Sequence, residues 1–354
     1  MADRSLAFAI PGDIERPTGG YGYDRRLIAE LRATGWTVTH VPLPDRFPEP
    51  TAQDRAASLA ALGQRPKGEP LLIDALAFAV MEVEAPILAR ERPLVALVHH
   101  PLALERGLSP ARAEAFRRSE RAALAHAHAV VVTSPATATT LIAEFAVPEC
   151  LITVAVPGTD PVAQATGSTG PTVRLVTVGS LVPRKGHLDL IAALSTLRHL
   201  DWRLELIGDP TLDPGHATAV AEAIAGAGLS ERIELVGALA RDQLETRYRA
   251  ADIFALASHY EGYGMAYAEA IAHGLPVVGT TGGAIADTLG DAAELVTPGD
   301  VDALATTLAR LIGDRTHRTD RSVIARTAAH RLPNWRATAD AVAGAVIGAA
   351  ERRI

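Results

Sequence analysis

Two series of short apolar runs, each run followed by a stretch of helical periodicity, constrain the fold more than any other feature of this chain. The first series comprises residues 6–10, 37–41, 71–73, 94–98 and 129–133. The second comprises residues 173–178, 203–207, 233–236, 253–255 and 277–279. Pro, Gly or charged residues bound most of these runs, and helices are predicted from about residue 23 to 33, from 187, over 217–225 and after 264. Short apolar runs alternating with amphipathic helices are the signature of parallel βαβ units. The chain has 354 residues, which favours two such domains over one. The segment PGTDPVAQATGSTGP (157–171) is rich in turn formers and lacks periodicity. The expected boundaries are therefore an N-terminal domain over 1–157, a linker over 158–171 and a C-terminal domain over 172–334. An amphipathic helix over 335–354 is expected to return to the first domain.

Composition narrows the function. A net charge of −7 weighs against a partner held mainly through its phosphates, so no nucleic acid is expected. A hydrophobic fraction of 48% suits a folded soluble protein. No apolar run approaches the roughly 18 residues of a membrane span, and the acidic start MADRSLAFAIPGD does not read as a leader peptide. The cytoplasm is the expected location. Cys150 is the single cysteine, so neither a disulfide framework nor a thiolate metal cluster is available. Arginine supplies nearly all the positive charge, and Lys67 and Lys185 are the only lysines.

Chemistry concentrates in two strand-to-helix turns of the second domain. One is SHYEGYGMAYAEA (258–270), which follows a buried run and opens a helix. A glycine-flanked turn of this kind presents amide N–H groups at the positive end of a helix, a ready anion site. Glu261 lies in the turn and Glu269 about two turns further on, so both can face one cleft at different depths. Carboxylates beside an anion site fit a sugar nucleotide, whose hydroxyls donate to them while amides and cations hold its phosphates. Alone, the pair equally fits a helix with one carboxylate near its start and another on a solvated face. The second turn, VTVGSLVPRKGH (176–187), places Arg184 and Lys185 at the C-terminal edge of the sheet, where open α/β folds bind ligands. Two cations there suit a diphosphate, and as merely exposed residues they would oppose the helix dipole.

With these segments the chain resembles glycosyltransferase family 4, the large retaining GT-B family, along essentially its whole length. The resemblance rests on the E-x7-E pattern of Glu261 and Glu269, the G-S-L-x-x-x-K-G segment from Gly179 to Gly186, and the Gly282–Gly283 turn. It implies two Rossmann-like doubly wound domains facing a central cleft. It assigns Arg184 and Lys185 to the diphosphate, Glu261 to donor-sugar hydroxyls and Glu269 to the ribose. Ser180 and the backbone of Gly262, Tyr263, Gly264, Met265 and Ala266 would meet the donor, and Leu239 would lie against the base. Tyr263 and Met265 stand where such proteins often carry Phe and Leu, a change that keeps bulk.

In the first domain, a glycine-rich loop at 17–22, with Gly19 and Gly20, is expected to approach the diphosphate, although glycine clusters are also ordinary turns. Its spacing is not the dinucleotide G-x-G-x-x-G. His99 and His100 end a buried run, where strand-end histidines can equally be satisfied by loop carbonyls. The resemblance assigns His99 to the donor sugar beside the reacting carbon. His100 occupies the slot of the family's usual acidic residue, on the acceptor side. The implied reaction is transfer of a hexosyl group from a nucleoside-diphosphate sugar to a hydroxyl by front-face displacement, with retention. The leaving phosphate takes the acceptor proton, so neither a metal nor a cofactor is expected. Neither turn contains an Asp-x-Asp pair, and Asp300-Val-Asp302 reads as a helix cap. A UDP-sugar is preferred to a GDP-sugar, although the residues do not decide between them. The acceptor, a glycan, lipid or small molecule, and the oligomeric state are not encoded legibly. Arg112, Arg117, Arg118 and Arg121 could rest on an anionic membrane at its inner face, or form a solvated helix face. Two other functions share these residues: a nucleotide-sugar-binding protein without turnover, and a GT-B nucleotide-sugar epimerase.

Overall fold

Burial explains why the apolar runs become parallel strands. In the computed structural model, which describes residues 4–352, the first unit runs β1 (Ser5–Pro11), α1 (Gly19–Ala33), β2 (Thr37–Leu43), α2 (Ala52–Gly63), β3 (Leu71–Asp74), α3 (Ala75–Phe78), α4 (Ala85–Ala89), β4 (Leu94–Val98), α5 (Pro110–Leu124), β5 (Ala129–Val132), α6 (Pro135–Phe145) and β6 (Ile152–Val154). All six strands are parallel, in the order β2-β1-β3-β4-β5-β6. Strands β3, β4 and β5 are buried at every residue, as helices on both faces of a parallel sheet require. The edge strands β2 and β6 are partly exposed, and β6 left no apolar run strong enough to be read from sequence.

The second unit continues with β7 (Val173–Val178), α7 (His187–Ser195), β8 (Trp202–Ile207), α8 (Pro214–Gly226), β9 (Ile233–Gly237), α9 (Arg241–Ala250), β10 (Ile253–Ala255), α10 (Met265–Ala272), β11 (Val277–Thr280), α11 (Ile285–Leu289), β12 (Ala293–Val296), α12 (Val301–Gly313) and α13 (Arg315–Ala329). Its six parallel strands are ordered β12-β11-β10-β7-β8-β9. Two doubly wound sheets are thus present. Asp300 caps α12 by accepting from the Ala303 N–H at 2.9 Å.

Strand order locates the ligand ends of both sheets. Chain direction across the first sheet reverses between β1 and β3, and across the second between β10 and β7. Ligands of open α/β folds bind outside the carboxyl ends of the strands at such switch points. Residues 179–186 leave β7 there and residues 256–264 leave β10, while Asp74 ends β3 and His99 follows β4 beside it.

Two local readings change. The glycine segment is not a loop: Gly19, Gly20 and Gly22 form the first turn of α1, and the preceding loop is confined to residues 12–18. The turn formers around 158–171 do not make a free tether. Ala165 donates to His273 O at 2.7 Å, Thr166 to Arg249 O at 2.9 Å and the Ser168 N–H to Asp252 Oδ1 at 3.0 Å, which fixes this stretch to the second unit.

The closing helix, Trp335–Arg352, belongs to the first unit and packs beside β5. Thr338 Oγ1 donates to Val156 O at 2.7 Å, and Trp335 stands edge-on to Tyr23 at 5.6 Å. The approach is so close that a Cβ at Gly158 would overlap the backbone of Trp335. Gly158→Ala is therefore expected to destabilise the protein by about 1–3 kcal/mol, the scale of overpacking. Gly344→Ala, inside the same helix with open space around it, should be neutral or stabilising. Urea unfolding midpoints of the two variants check the contrast.

Candidate active site

Glu261 is the centre of the second unit's site, and the fold clamps it from three directions. The turn after β10 and the turn after β11 meet at a single bridge between Glu261 and Gly283. The Ala284 N–H donates to Glu261 O at 2.9 Å, and a Cβ at Gly283, whose φ is +67°, would overlap that carbonyl. From the turn after β7, Lys185 Nζ donates to Glu261 Oε1 at 2.6 Å and Arg184 to Oε2 at 3.1 Å. Ser258 Oγ adds a bond to Oε1 at 2.6 Å, and Arg184 also reaches Tyr260 O at 2.9 Å.

Lys185 and Arg184 occupy a short 3₁₀ turn, Pro183–Lys185, closed by Gly186 at φ +66°. The tight turn lets adjacent residues point both cations at one carboxylate. Glu261 is 6% exposed, and burial alone would raise its pKa. Lys185 and Arg184 outweigh burial and hold it down to about 2, so the carboxylate stays ionised throughout the physiological range. Two cations beside one carboxylate in a largely desolvated place are chemically suited to an anionic ligand.

The remaining expected donor residues fall along the same sheet edge. Gly264, at φ +99°, starts α10, so Met265 and Ala266 lie in its first turn, where amide N–H groups lack intrahelical partners. Gly262 and the buried Tyr263 precede it; burial pushes the Tyr263 phenol up to about 12. Glu269 accepts from the Tyr248 hydroxyl at 3.1 Å, and Tyr248 stacks on His273 at 5.0 Å. Burial raises the Glu269 pKa against the pull of Arg241. Ser180 sits in the turn after β7, and the half-buried Leu239 in the turn after β9, whose Gly237 O accepts from the Gly208 N–H at 3.0 Å. Tyr248 gave no sequence signal, since nothing marked a helix tyrosine as the partner of a glutamate 21 residues away.

In the first unit, the two histidines go different ways. His99 Nε2 lies 3.2 Å from carboxylate oxygens of both Asp24 and Asp74. Gly20, in the first turn of α1, packs against the His99 ring; a Cβ there would come within 3.4 Å of Cδ2. Gly19 has open space around it. His100 Nε2 pairs with Glu105 at 3.0 Å and lines a cavity of about 460 Å³ with Arg46, Glu49, Leu108 and Phe116. Asp24 and Asp74 were not read from sequence, because each contact joins residues distant along the chain. Arg112 reaches Glu49 at 2.8 Å and covers the Phe116 ring at 4.2 Å. Arg117 meets Glu114 and Glu144, each at 3.4 Å. Among the described residues no helix is long and apolar enough to cross a membrane.

Two Rossmann-like units, each with a doubly wound six-stranded parallel sheet, are the architecture of the GT-B class. Residues 23–162 match the family described as Glycosyltransferase Family 4, and residues 172–314 the one described as Glycosyl transferases group 1. The chain belongs to glycosyltransferase family 4. It is similar to MMP alpha-(1->4)-mannosyltransferase of Mycolicibacterium hassiacum, 30% identical over 62% of this chain and 56% of that one. It also resembles the GDP-mannose-dependent alpha-(1-6)-phosphatidylinositol monomannoside mannosyltransferase of Mycolicibacterium smegmatis, 33% identical over 46% of this chain and 44% of the relative. The chain thus spans about half the length of these curated relatives. Sucrose-phosphate synthase from Thermosynechococcus elongatus shares the fold, with a TM-score of 0.79 over 95% of this chain and 96% of that one, at 21% identity.

Glu120, on α5, is a buried carboxyl that sequence reasoning missed; it is 1% exposed. Burial pushes its pKa up to about 8 against the backbone amides of Leu102 and Ala103, in the segment just after His99 and His100. The folded state therefore keeps a proton that the unfolded chain releases above about pH 4.5, so this residue subtracts stability as pH rises to about 8. Glu120→Gln should gain stability relative to the native protein between about pH 5 and 8, by about 2 °C or more in Tm at the upper end. Thermal scans at both pH values test it.

Proposed function

We propose that this protein is a retaining glycosyltransferase that moves a mannosyl group from GDP-mannose to a hydroxyl of a small-molecule or glycan acceptor. The observation that carries the proposal is the buried Glu261 clamped by Lys185 and Arg184. A carboxylate kept ionised accepts hydrogen bonds from sugar hydroxyls, and the two cations beside it suit a diphosphate. Glu269, bonded to Tyr248, is suited to a ribose diol, and the first turn of α10 offers amides to the phosphates. The names of the relatives favour GDP-mannose over the UDP-sugar preferred from sequence.

In the proposed step, the bond between the anomeric carbon and the diphosphate breaks as the acceptor oxygen bonds to the same face of that carbon. The acceptor proton passes to the departing phosphate oxygen. Negative charge grows on the diphosphate, and Lys185 and Arg184 stabilise it. No carboxylate base is needed, consistent with a Glu261 too acidic to hold a proton. The cavity beside His100, with apolar walls and the polar pair His100–Glu105, is the place we assign to the acceptor. Engagement of Arg112 and Arg117 by acidic neighbours favours a solvated face over a lipid contact for α5. A location in the cytoplasm accords with a sugar-nucleotide donor.

Lys185→Ala is expected to lower the transfer rate at least about 100-fold, the scale of losing one donor to a developing anion. GDP release from GDP-mannose in the presence of acceptor gives the readout. Turnover near that of the native protein, or activity abolished by a chelator, contradicts the mechanism.

A further inference from the structure

His99 is gripped by two carboxylates from different elements. Its Nε2 lies 3.2 Å from Asp24 Oδ1 on α1 and 3.2 Å from Asp74 Oδ2 at the end of β3. Asp24 is fully buried and Asp74 3% exposed. Asp24 Oδ2 has no hydrogen-bond partner among the described residues, so the ring is the nearest compensation for its charge. The other oxygen of Asp74 caps α3, accepting from the Leu76 N–H at 2.8 Å. A neutral imidazole between these groups would leave two buried negative charges sharing one N–H, an expensive arrangement. An imidazolium places a positive charge between them.

We propose that Asp24 and Asp74 are positioning residues that turn His99 Nε2 inward and keep the ring an imidazolium, so that its Nδ1–H is offered to substrate oxygens as a charged donor. Nδ1 has no partner within the unit and is not sealed from solvent. Ring orientation is fixed further by Tyr23, edge-on at 5.2 Å, whose hydroxyl donates to Ala155 O at 3.0 Å, and by Gly20 against Cδ2. Thr133 Oγ1 anchors the His99 carbonyl at 3.1 Å. A charged donor forms a hydrogen bond roughly twice as strong as a neutral one. The transferase reading supplies the substrate in this inference; the charge and orientation of the ring do not depend on it.

The surrounding charges agree with the geometry. Burial alone would lower the His99 pKa, and Asp24 and Asp74 together reverse the direction. Burial raises Asp24, opposed by His99 and, more weakly, by Arg25. Tyr21, bonded to Pro11 O at 2.5 Å, is pushed up to about 12 by burial and Asp74, and Tyr23 is raised by burial. Neither phenol adds charge near neutrality. A histidine raised in the fold lends stability below its unfolded value of about 6.5, and that stability is lost only as pH climbs through the higher folded value.

The test is a titration of His99 by ¹³Cε1 and ¹⁵N NMR in the full chain without substrate, paired with pH profiles of kcat/KM. In the native protein the ring should remain doubly protonated to beyond about pH 8.5. In Asp24→Asn it should titrate near the ordinary value of about 6.5. The kcat/KM of that variant should then fall about tenfold per pH unit above its new pKa, a range over which the native profile stays level. A native His99 that titrates near about 6.5, a variant loss equal at every pH, or uptake of Zn²⁺ or Mn²⁺ at these three side chains overturns the proposal. The native titration needs no variant that folds and no turnover, so its failure is distinguishable from failure of the transferase reading.

Discussion

The ion cluster of Glu261 with Lys185 and Arg184 is the interaction on which the second unit's site depends. A carboxylate 6% exposed is tolerable only while its charge is answered, and removing a partner from a buried pair typically costs about 3–5 kcal/mol. The cations come from the turn after β7 and the carboxylate from the turn after β10, adjacent strands at the switch point. The cluster therefore ties the two turns together in the absence of ligand. It also holds the charges in a nearly dry setting, where, on the proposed reading, they would act on a substrate with little reorganisation.

The same logic appears in the first unit with opposite sign. There a histidine lies between Asp24 and Asp74, and the excess charge is negative. In each case a group at the end of a strand is fixed by partners on other elements. Orientation and protonation state are thereby decided by the fold before any substrate arrives. Glu120 shows the contrasting case, a buried carboxyl with no cation close enough to keep it ionised.

Much of this architecture could be read from sequence because strands buried on both faces leave uninterrupted apolar runs, as β3, β4 and β5 do. Edge strands β6 and β12 are short and half-exposed, so they left no comparable run. Glycines at 19, 20 and 22 suggested a loop, but they begin α1, and Gly20 serves close packing on His99. Arg184, Lys185, Glu261 and Glu269 stood out because charge in strand-to-helix turns is locally conspicuous. Their mutual pairing did not, since Lys185 and Glu261 are 76 residues apart. Asp24 and Asp74 look like ordinary helix and strand-end acids until folding brings them to one ring nitrogen.

The central claim, a sugar-nucleotide site built around Glu261, is tested most directly by binding. Thermal shift of the full chain with GDP-mannose, a panel of UDP-sugars, GDP and UDP would show which are held. At a concentration about 100-fold over Kd, a true donor adds about 2.7 kcal/mol of stability, enough for a clear rise in Tm. The account predicts that rise with GDP-mannose, reduced in Lys185→Ala. A protein whose Tm is unmoved by every sugar nucleotide and nucleoside diphosphate would contradict it.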